Sequence, residues 1–298
     1  MGQLILTKID KQVRLGKNQS DTLVTARITM ASSLDLQTVW ITGASSGVGE
    51  GMASVFHREG ANLILSGRRQ DELERVKAQC TAGTGSITVV PFDISNADAR
   101  QAAARSVLDQ FARIDILVNN AGIGQRSLAM DTFEDVERRI MEVDFFGPVA
   151  LTKLVLPRMI EQQGGPLIVT SSVAGKHAVP YHSTYCAAKH ALHGYFDTLR
   201  IEHLHDNIAV TLLVIAGIRS HVFEHALTGD GTEYGRSDWG DDAGMTAEAC
   251  AVRVVEAIVK REPEVLISIE EAKQALLLKD KDPVEFTERM AKMMKWMS

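Results

Sequence analysis

Tyr185 and Lys189 stand four residues apart in a stretch of helical character, so their side chains fall on one helix face about one turn apart. A free tyrosine titrates near ~10, too high for easy proton exchange at neutral pH. A neighbouring ammonium favours the phenolate and lowers that value. Such a phenol can give a proton to a carbonyl oxygen or take one from an alcohol. Ser172 lies thirteen residues before Tyr185, at the carboxyl end of an expected strand, where its hydroxyl could hold a substrate oxygen against the tyrosine. Ser171 is the neighbouring candidate and would point to the opposite face. The bland alternative is an ordinary amphipathic helix surface. A Ser-His-Asp hydrolase is a rival, because His177, His182 and His190 are close by, but no G-x-S-x-G elbow surrounds Ser172.

A second constellation suits a dinucleotide. Thr42-Gly43-Ala44-Ser45-Ser46-Gly47-Val48-Gly49 sits between a short strand and a helix. Gly43 permits the tight turn, Gly47 lets backbone N–H groups approach a pyrophosphate, and Gly49 lets helix and strand pack closely. The helix N-terminus then favours the anion. The next strand ends in Ser66-Gly67-Arg68-Arg69, without the carboxylate that would bind the two ribose hydroxyls of NAD. Two guanidiniums suit a 2′-phosphate, so NADP is the expected cofactor; solvated surface arginines are the alternative. Asp93 could accept a hydrogen bond from the adenine amino group or serve as a helix-capping loop acid. Asn119-Asn120-Ala121-Gly122 offers small residues where the cofactor must come close, though alone it reads only as a turn.

These residues need a frame that gathers strand ends. From residue 38 the chain alternates strand and helix. Strands are expected at 38–42, 63–66, 87–92, 116–118, 167–170, 209–214 and 265–268. Helices are expected at 48–58 and 71–78, from a Ser95 cap with Asp98 to about 112, from a Thr132/Asp135 capping box to about 163, and from 183 to about 205. Residues 63–66 and 116–118 are apolar throughout, as strands buried on both faces are. The expected fold is α/β, a doubly wound parallel sheet in one domain. That domain spans 31–270 and carries an irregular Gly/Asp-rich lid at 219–246, in which Phe223, Tyr234 and Trp239 either line a pocket or pack the lid. Residues 1–30 read as an extension, partly disordered, and 271–298 as a charged helical tail.

Composition bounds the rest. The chain has 298 residues and a net charge of −6, with no basic excess to hold a phosphate backbone, so no nucleic-acid partner is expected. Three widely spaced cysteines argue against a disulfide framework and against a metal site. No apolar run reaches the ~20 residues of a membrane span, and no apolar signal segment opens the sequence. A reducing, cytoplasmic setting is the expectation.

TGASSGVG, NNAG, SSVAG and YCAAK, in that order, resemble the short-chain dehydrogenase/reductase family, within it the carbonyl- and hydroxysteroid-reductase-like branch, over residues 38 to about 268. The resemblance implies a Rossmann-type sheet of seven strands and a nicotinamide cofactor. By similarity, Ser172, Tyr185 and Lys189 match the catalytic positions, and Lys189 would also hold the nicotinamide ribose. Gly43, Gly47, Gly49, Asp93 and Asn120 match cofactor positions, and Arg68 matches the reader of the 2′-phosphate. Ser45, Ser46, Val48, Arg69, Ile94, Ala121, Gly122, Ile218 and Ser220 complete the cofactor set. The family's usual Asn in M-E-V-D-F-F-G is Asp144 here, a charge that would oppose the tyrosinate. The usual Pro-Gly after the sixth strand is Ala216-Gly217, and the loop that follows is one residue short. The expected function is hydride transfer between NADP(H) and a small carbonyl or secondary alcohol. The alternative is an NADP-binding protein of weak turnover, such as a redox sensor. Pairing of the long helices 134–163 and 183–205 into a homodimer or homotetramer is also implied.

Overall fold

The computed structural model describes residues 34–219, 222, 224–236 and 244–297. The 1–30 extension, Ser220, Phe223 and Trp239 lie outside the described residues. Seven strands alternate with helices: β1 (Thr38–Thr42), α1 (Gly47–Arg58), β2 (Asn62–Ser66), α2 (Gln70–Gln79), β3 (Ile87–Val89), α3 (Ala97–Gln110), β4 (Ile116–Asn119), α4 (Glu134–Met141), α5 (Gly147–Glu161), β5 (Gly165–Ser172), α6 (Ser183–Glu202), β6 (Ile208–Ala216), α7 (Ala247–Lys260), β7 (Glu264–Ser268), α8 (Glu270–Lys281) and α9 (Pro283–Met297). All pairings are parallel, in the order β3-β2-β1-β4-β5-β6-β7.

Side-chain alternation splits the core into two layers. Val39 and Ile41 of β1 join Met52, Phe56, Val254 and Val255 of α1 and α7 on one face. Trp40 turns to the other face and joins Val107, Val155, Leu192 and Phe196 of α3, α5 and α6. Burying both faces explains the unbroken apolar runs. The strand order reverses between β1 and β4, which opens a crevice beyond their carboxyl ends. Thr42, Asn119 and Ser172 each end a strand at that edge.

Several local expectations need correcting. β3 is regular only to Val89 rather than 92, although the N–H groups of Val90 and Phe92 still reach Leu65 O at 2.9 Å and Gly67 O at 3.0 Å; Pro91 between them faces the open edge of the sheet, where no N–H is needed. Ser95 does not cap α3. Its N–H and hydroxyl both bond Asp93 Oδ1, at 2.9 and 2.6 Å, and Asn96 caps Ala99 N instead at 2.9 Å. Thr132 does not cap the next helix either, since its hydroxyl donates to Leu128 O at 2.8 Å. The single helix expected from there to 163 is α4 and α5 joined by a π-helical turn, Glu142–Phe146. The tail is helical, as expected, and docked: Phe286 is 6% exposed and meets the His177 ring at 5.3 Å, on the turn that follows Ser172.

Candidate active site

Ser172, Tyr185, Lys189 and Asp144 converge at the carboxyl edge of the sheet. Lys189 Nζ lies 5.4 Å from the Tyr185 ring centroid, as the four-residue spacing requires. Nζ also donates to Thr170 O at 3.2 Å and pairs with Asp144 Oδ2 at 3.3 Å. The Ser172 hydroxyl lies near enough to the Tyr185 phenol to favour its ionised form, and it accepts from Ala174 N at 3.1 Å. Ser171 faces the other way, as strand alternation dictates, and bonds His193 Nε2 at 2.9 Å. His193 in turn approaches Glu264 at 3.5 Å, so the three groups mimic a hydrolase relay. Ser171 is only 2% exposed, however, and burial drops the His193 pKa to about 4, so this is a packed structural bond.

The π-helical turn swings Asp144 inward until none of its surface is exposed. Asp144 Oδ1 accepts from Ile123 N at 2.7 Å, which ties it to the segment after β4. Burial works against the Lys189 charge, but the Asp144 carboxylate and the Tyr185 oxygen outweigh it and favour the ammonium. Burial pushes the Tyr185 phenol above its ordinary value. Lys189 pulls it down, Asp144 pushes it further up, and the nearby Ser172 hydroxyl pulls it down; the net direction is up. Sequence reasoning set the ammonium against the Asp144 charge and missed the larger desolvation effect.

The glycine loop forms a cradle beside this cluster. Gly43 has φ +66°, and a Cβ there would stand 2.7 Å from Ala121 Cα. A Cβ on Gly49 would stand 2.1 Å from Gly43 O, so no side chain fits between helix and loop. Ser46 precedes α1 without a side-chain cap, which leaves the first-turn amides, beside Gly47 and Val48, facing the crevice end of β1. Asn120 Nδ2 donates to Thr42 O and Gly43 O, both at 3.1 Å, and its Oδ1 accepts from Thr170 Oγ1 at 3.1 Å. These features fit a dinucleotide: a tight backbone concavity, unclaimed helix N–H groups and no Cβ in the way. Arg69 Nη2 reaches Ser45 Oγ at 3.4 Å across the loop. His225 chiefly, and then Arg68 and Arg69, hold the carboxyl of Glu233 below its usual value, so the 224–236 loop and the arginine pair share one electrostatic neighbourhood. Asp93 and Ile94 stand at the exit of β3, with Asp93 Oδ1 engaged by Ser95. At the far end, Gly217 O accepts from Met245 N at 2.8 Å, and Arg219 N donates to Met245 O at 2.9 Å, which pins Ile218 between two backbone bonds. Gly122 sits against the ion pair, where a Cβ would be 3.3 Å from Asp144 Oδ2.

Three supporting residues escaped sequence reasoning. Thr42 Oγ1 donates to Val118 O at 3.2 Å and accepts from the N–H groups of Asn120 at 3.0 Å and Ala121 at 3.2 Å, which fixes the exit of β4. Arg75 braces the glycine loop through Glu50 at 2.8 Å and Ser45 O at 3.2 Å. Gln125 caps α6 from outside the helix. A hydroxyl ending a strand could have pointed to Thr42, whereas nothing local marks the other two.

Residues 37–229 match the family model described as short chain dehydrogenase. Dehydrogenase/reductase SDR family member 7B of Mus musculus is 39% identical over 246 residues, 81% of this chain and 76% of that protein. Dehydrogenase/reductase SDR family member 7 of Homo sapiens is 40% identical over 235 residues, 77% of this chain and 69% of that one. Among solved structures, levodione reductase superposes with a TM-score of 0.71 at 24% identity, over 81% of this chain and 99% of that one. An alcohol dehydrogenase from the archaeon Thermococcus sibiricus, complexed with 5-hydroxy-NADP, superposes with a TM-score of 0.66 at 23% identity, over 78% and 96%. These two structures share the fold.

Proposed function

The chain belongs to the short-chain dehydrogenase/reductase family, and from that premise we propose that it exchanges a hydride between NADP(H) and a small carbonyl or secondary alcohol. The observation that carries the proposal is the meeting of Ser172, Tyr185 and Lys189 beside a glycine cradle whose backbone no side chain crowds. Gly43 to Gly49 would hold the pyrophosphate, Arg68 and Arg69 the 2′-phosphate, Asp93 and Ile94 the adenine side, and Asn120 to Gly122 the ribose side. Lys189 would bond the nicotinamide ribose, and Ile218 with Ser220 would flank the carboxamide. When bound, NADPH supplies the hydride that converts a carbonyl carbon to a carbinol.

The chain's own groups handle the oxygen. The Ser172 hydroxyl orients it, and the Tyr185 phenol gives it a proton. The raised Tyr185 pKa keeps that proton in place at neutral pH, so the site is poised for reduction. Alcohol oxidation requires the phenolate and should gain as pH rises. Titration with NADPH and NADH tests the cofactor assignment: tighter NADPH binding, lost in Arg68→Ala, is expected, and tighter NADH binding would overturn it. The Asp144–Lys189 pair favours one second reading, a cofactor-holding protein of weak turnover. A panel of ketones, aldehydes and alcohols followed by cofactor absorbance separates the two.

We also propose a homo-oligomer. Ala187, His190, Gly194, Thr198 and Ile201 recur at three- and four-residue spacing along α6 and are all exposed. With the half-exposed Phe146 nearby in sequence to α5, they give a flat stripe suited to pairing with a second copy.

A further inference from the structure

α6 begins without a cap of its own. His182 precedes it and offers no side-chain bond to the first turn, although that turn carries Tyr185. The missing acceptor comes from Gln125, which is fully buried. Gln125 Oε1 accepts from Thr184 N at 2.8 Å and from Tyr185 N at 3.0 Å. Its Nε2 faces the hydroxyls of Ser127 at 3.3 Å, Thr132 at 3.1 Å and Ser183 at 3.2 Å. An amide is the group that serves two backbone donors on one side and hydroxyl acceptors on the other.

The backbone on either side of Gln125 is held by the lid. Leu227 N donates to Gly124 O at 3.0 Å, and Arg126 N donates to Leu227 O at 2.8 Å. Leu227 also packs with Val136 and Ile140 against Tyr185. One residue therefore joins the lid's backbone to the amide of the tyrosine. We infer that Gln125 is a positioning residue, which sets the placement of Tyr185 and makes it depend on the seating of the lid. The inference rests on the proton-transfer role proposed for Tyr185.

The charged and titratable groups around the two residues set how a test reads. Lys189, Asp144, Cys186 and His182 surround Tyr185, and Glu137 of α4 accepts from Thr184 Oγ1 at 3.2 Å. Arg126, next to Gln125, stacks on Tyr181 at 4.2 Å.

The experiment compares Gln125→Leu and Gln125→Glu in the full chain. Leu leaves two buried N–H groups unserved and frees the tyrosine's turn, so kcat should fall about 10- to 100-fold while KM and the NADPH Kd stay nearly constant. Glu keeps both acceptors, and the three hydroxyls can turn to donate to it, so most of kcat should return. Its added charge should move the onset of Tyr185 ionisation to higher pH. That onset is read without cofactor or substrate, as the phenolate absorbance lost in a Tyr185→Phe background. The inference is overturned if Gln125→Leu leaves kcat unchanged, if both variants lose NADPH binding in parallel with activity, or if Glu fails to restore kcat beyond Leu. An inactive native chain whose Tyr185 titration still shifts in Gln125→Leu, which adds no charge, would remove the proposed function but uphold the positioning role.

Discussion

Asp144 places a carboxylate 3.3 Å from the ammonium that bonds the Thr170 carbonyl, with Tyr185 against the same ammonium. The lysine's field is then shared between a carboxylate and a phenol. Burial first, and Asp144 in addition, hold the phenol above its ordinary value. Replacing Asp144 by Asn removes the opposing charge while keeping an acceptor for Ile123 N. The account predicts that the pH profile of alcohol oxidation moves to lower pH in Asp144→Asn and that oxidation at neutral pH speeds up. Superimposable pH–rate profiles would contradict it. Much of this chemistry was legible from spacing: four residues put Lys189 over Tyr185, and alternation assigned Ser172 to one face and Ser171 to the other. Burial of Asp144 was not legible, because it depends on a π-helical turn that the sequence does not announce. Gln125 was hidden for another reason, since its partner lies 60 residues away and no local pattern encodes a cap from outside the helix.

Strands and helices were the most legible scale. An apolar run of four or five residues between polar turns leaves little choice when both faces are buried. Their ends were less so. A capping residue is decided by competition, and Ser95 and Thr132 each found a nearer partner than the helix N–H groups. The glycine loop behaved as its spacing implied, with Gly49 pressed to the Gly43 carbonyl. Gly49→Ala should therefore cost about 2 kcal/mol or more, since the intruding Cβ meets backbone that cannot rotate away. Denaturant unfolding checks the stability loss, and the same variant should bind NADPH at least about tenfold more weakly as the cradle shifts. Unchanged unfolding and unchanged NADPH affinity would show that the close approach is not required.

At the scale of the molecule, the parallel sheet and its crevice at the β1/β4 reversal followed from the alternation of strand and helix. Among the described residues no helix is long and apolar enough to cross a membrane, and no group of His, Cys, Asp and Glu could hold a metal. The docked tail was not legible, because a charged amphipathic helix reads the same whether it covers the turn at His177 or stands in solvent. Gly194 lies in the middle of the exposed stripe on α6, and a Cβ built on it meets nothing within 4 Å, so a side chain placed there projects outward. Gly194→Glu would set a charge in the middle of that stripe, so light scattering should report a smaller species than the native chain, with folding intact. Equal masses for the two would place the assembly elsewhere. The most direct measurement of the whole account is NADPH consumption with a ketone and aldehyde panel, run for the native chain and for Tyr185→Phe. The account predicts turnover by the native chain and a loss of about 10²- to 10⁴-fold in kcat for Tyr185→Phe, with NADPH affinity preserved. Equal turnover by the two proteins, with the phenol gone, would contradict it.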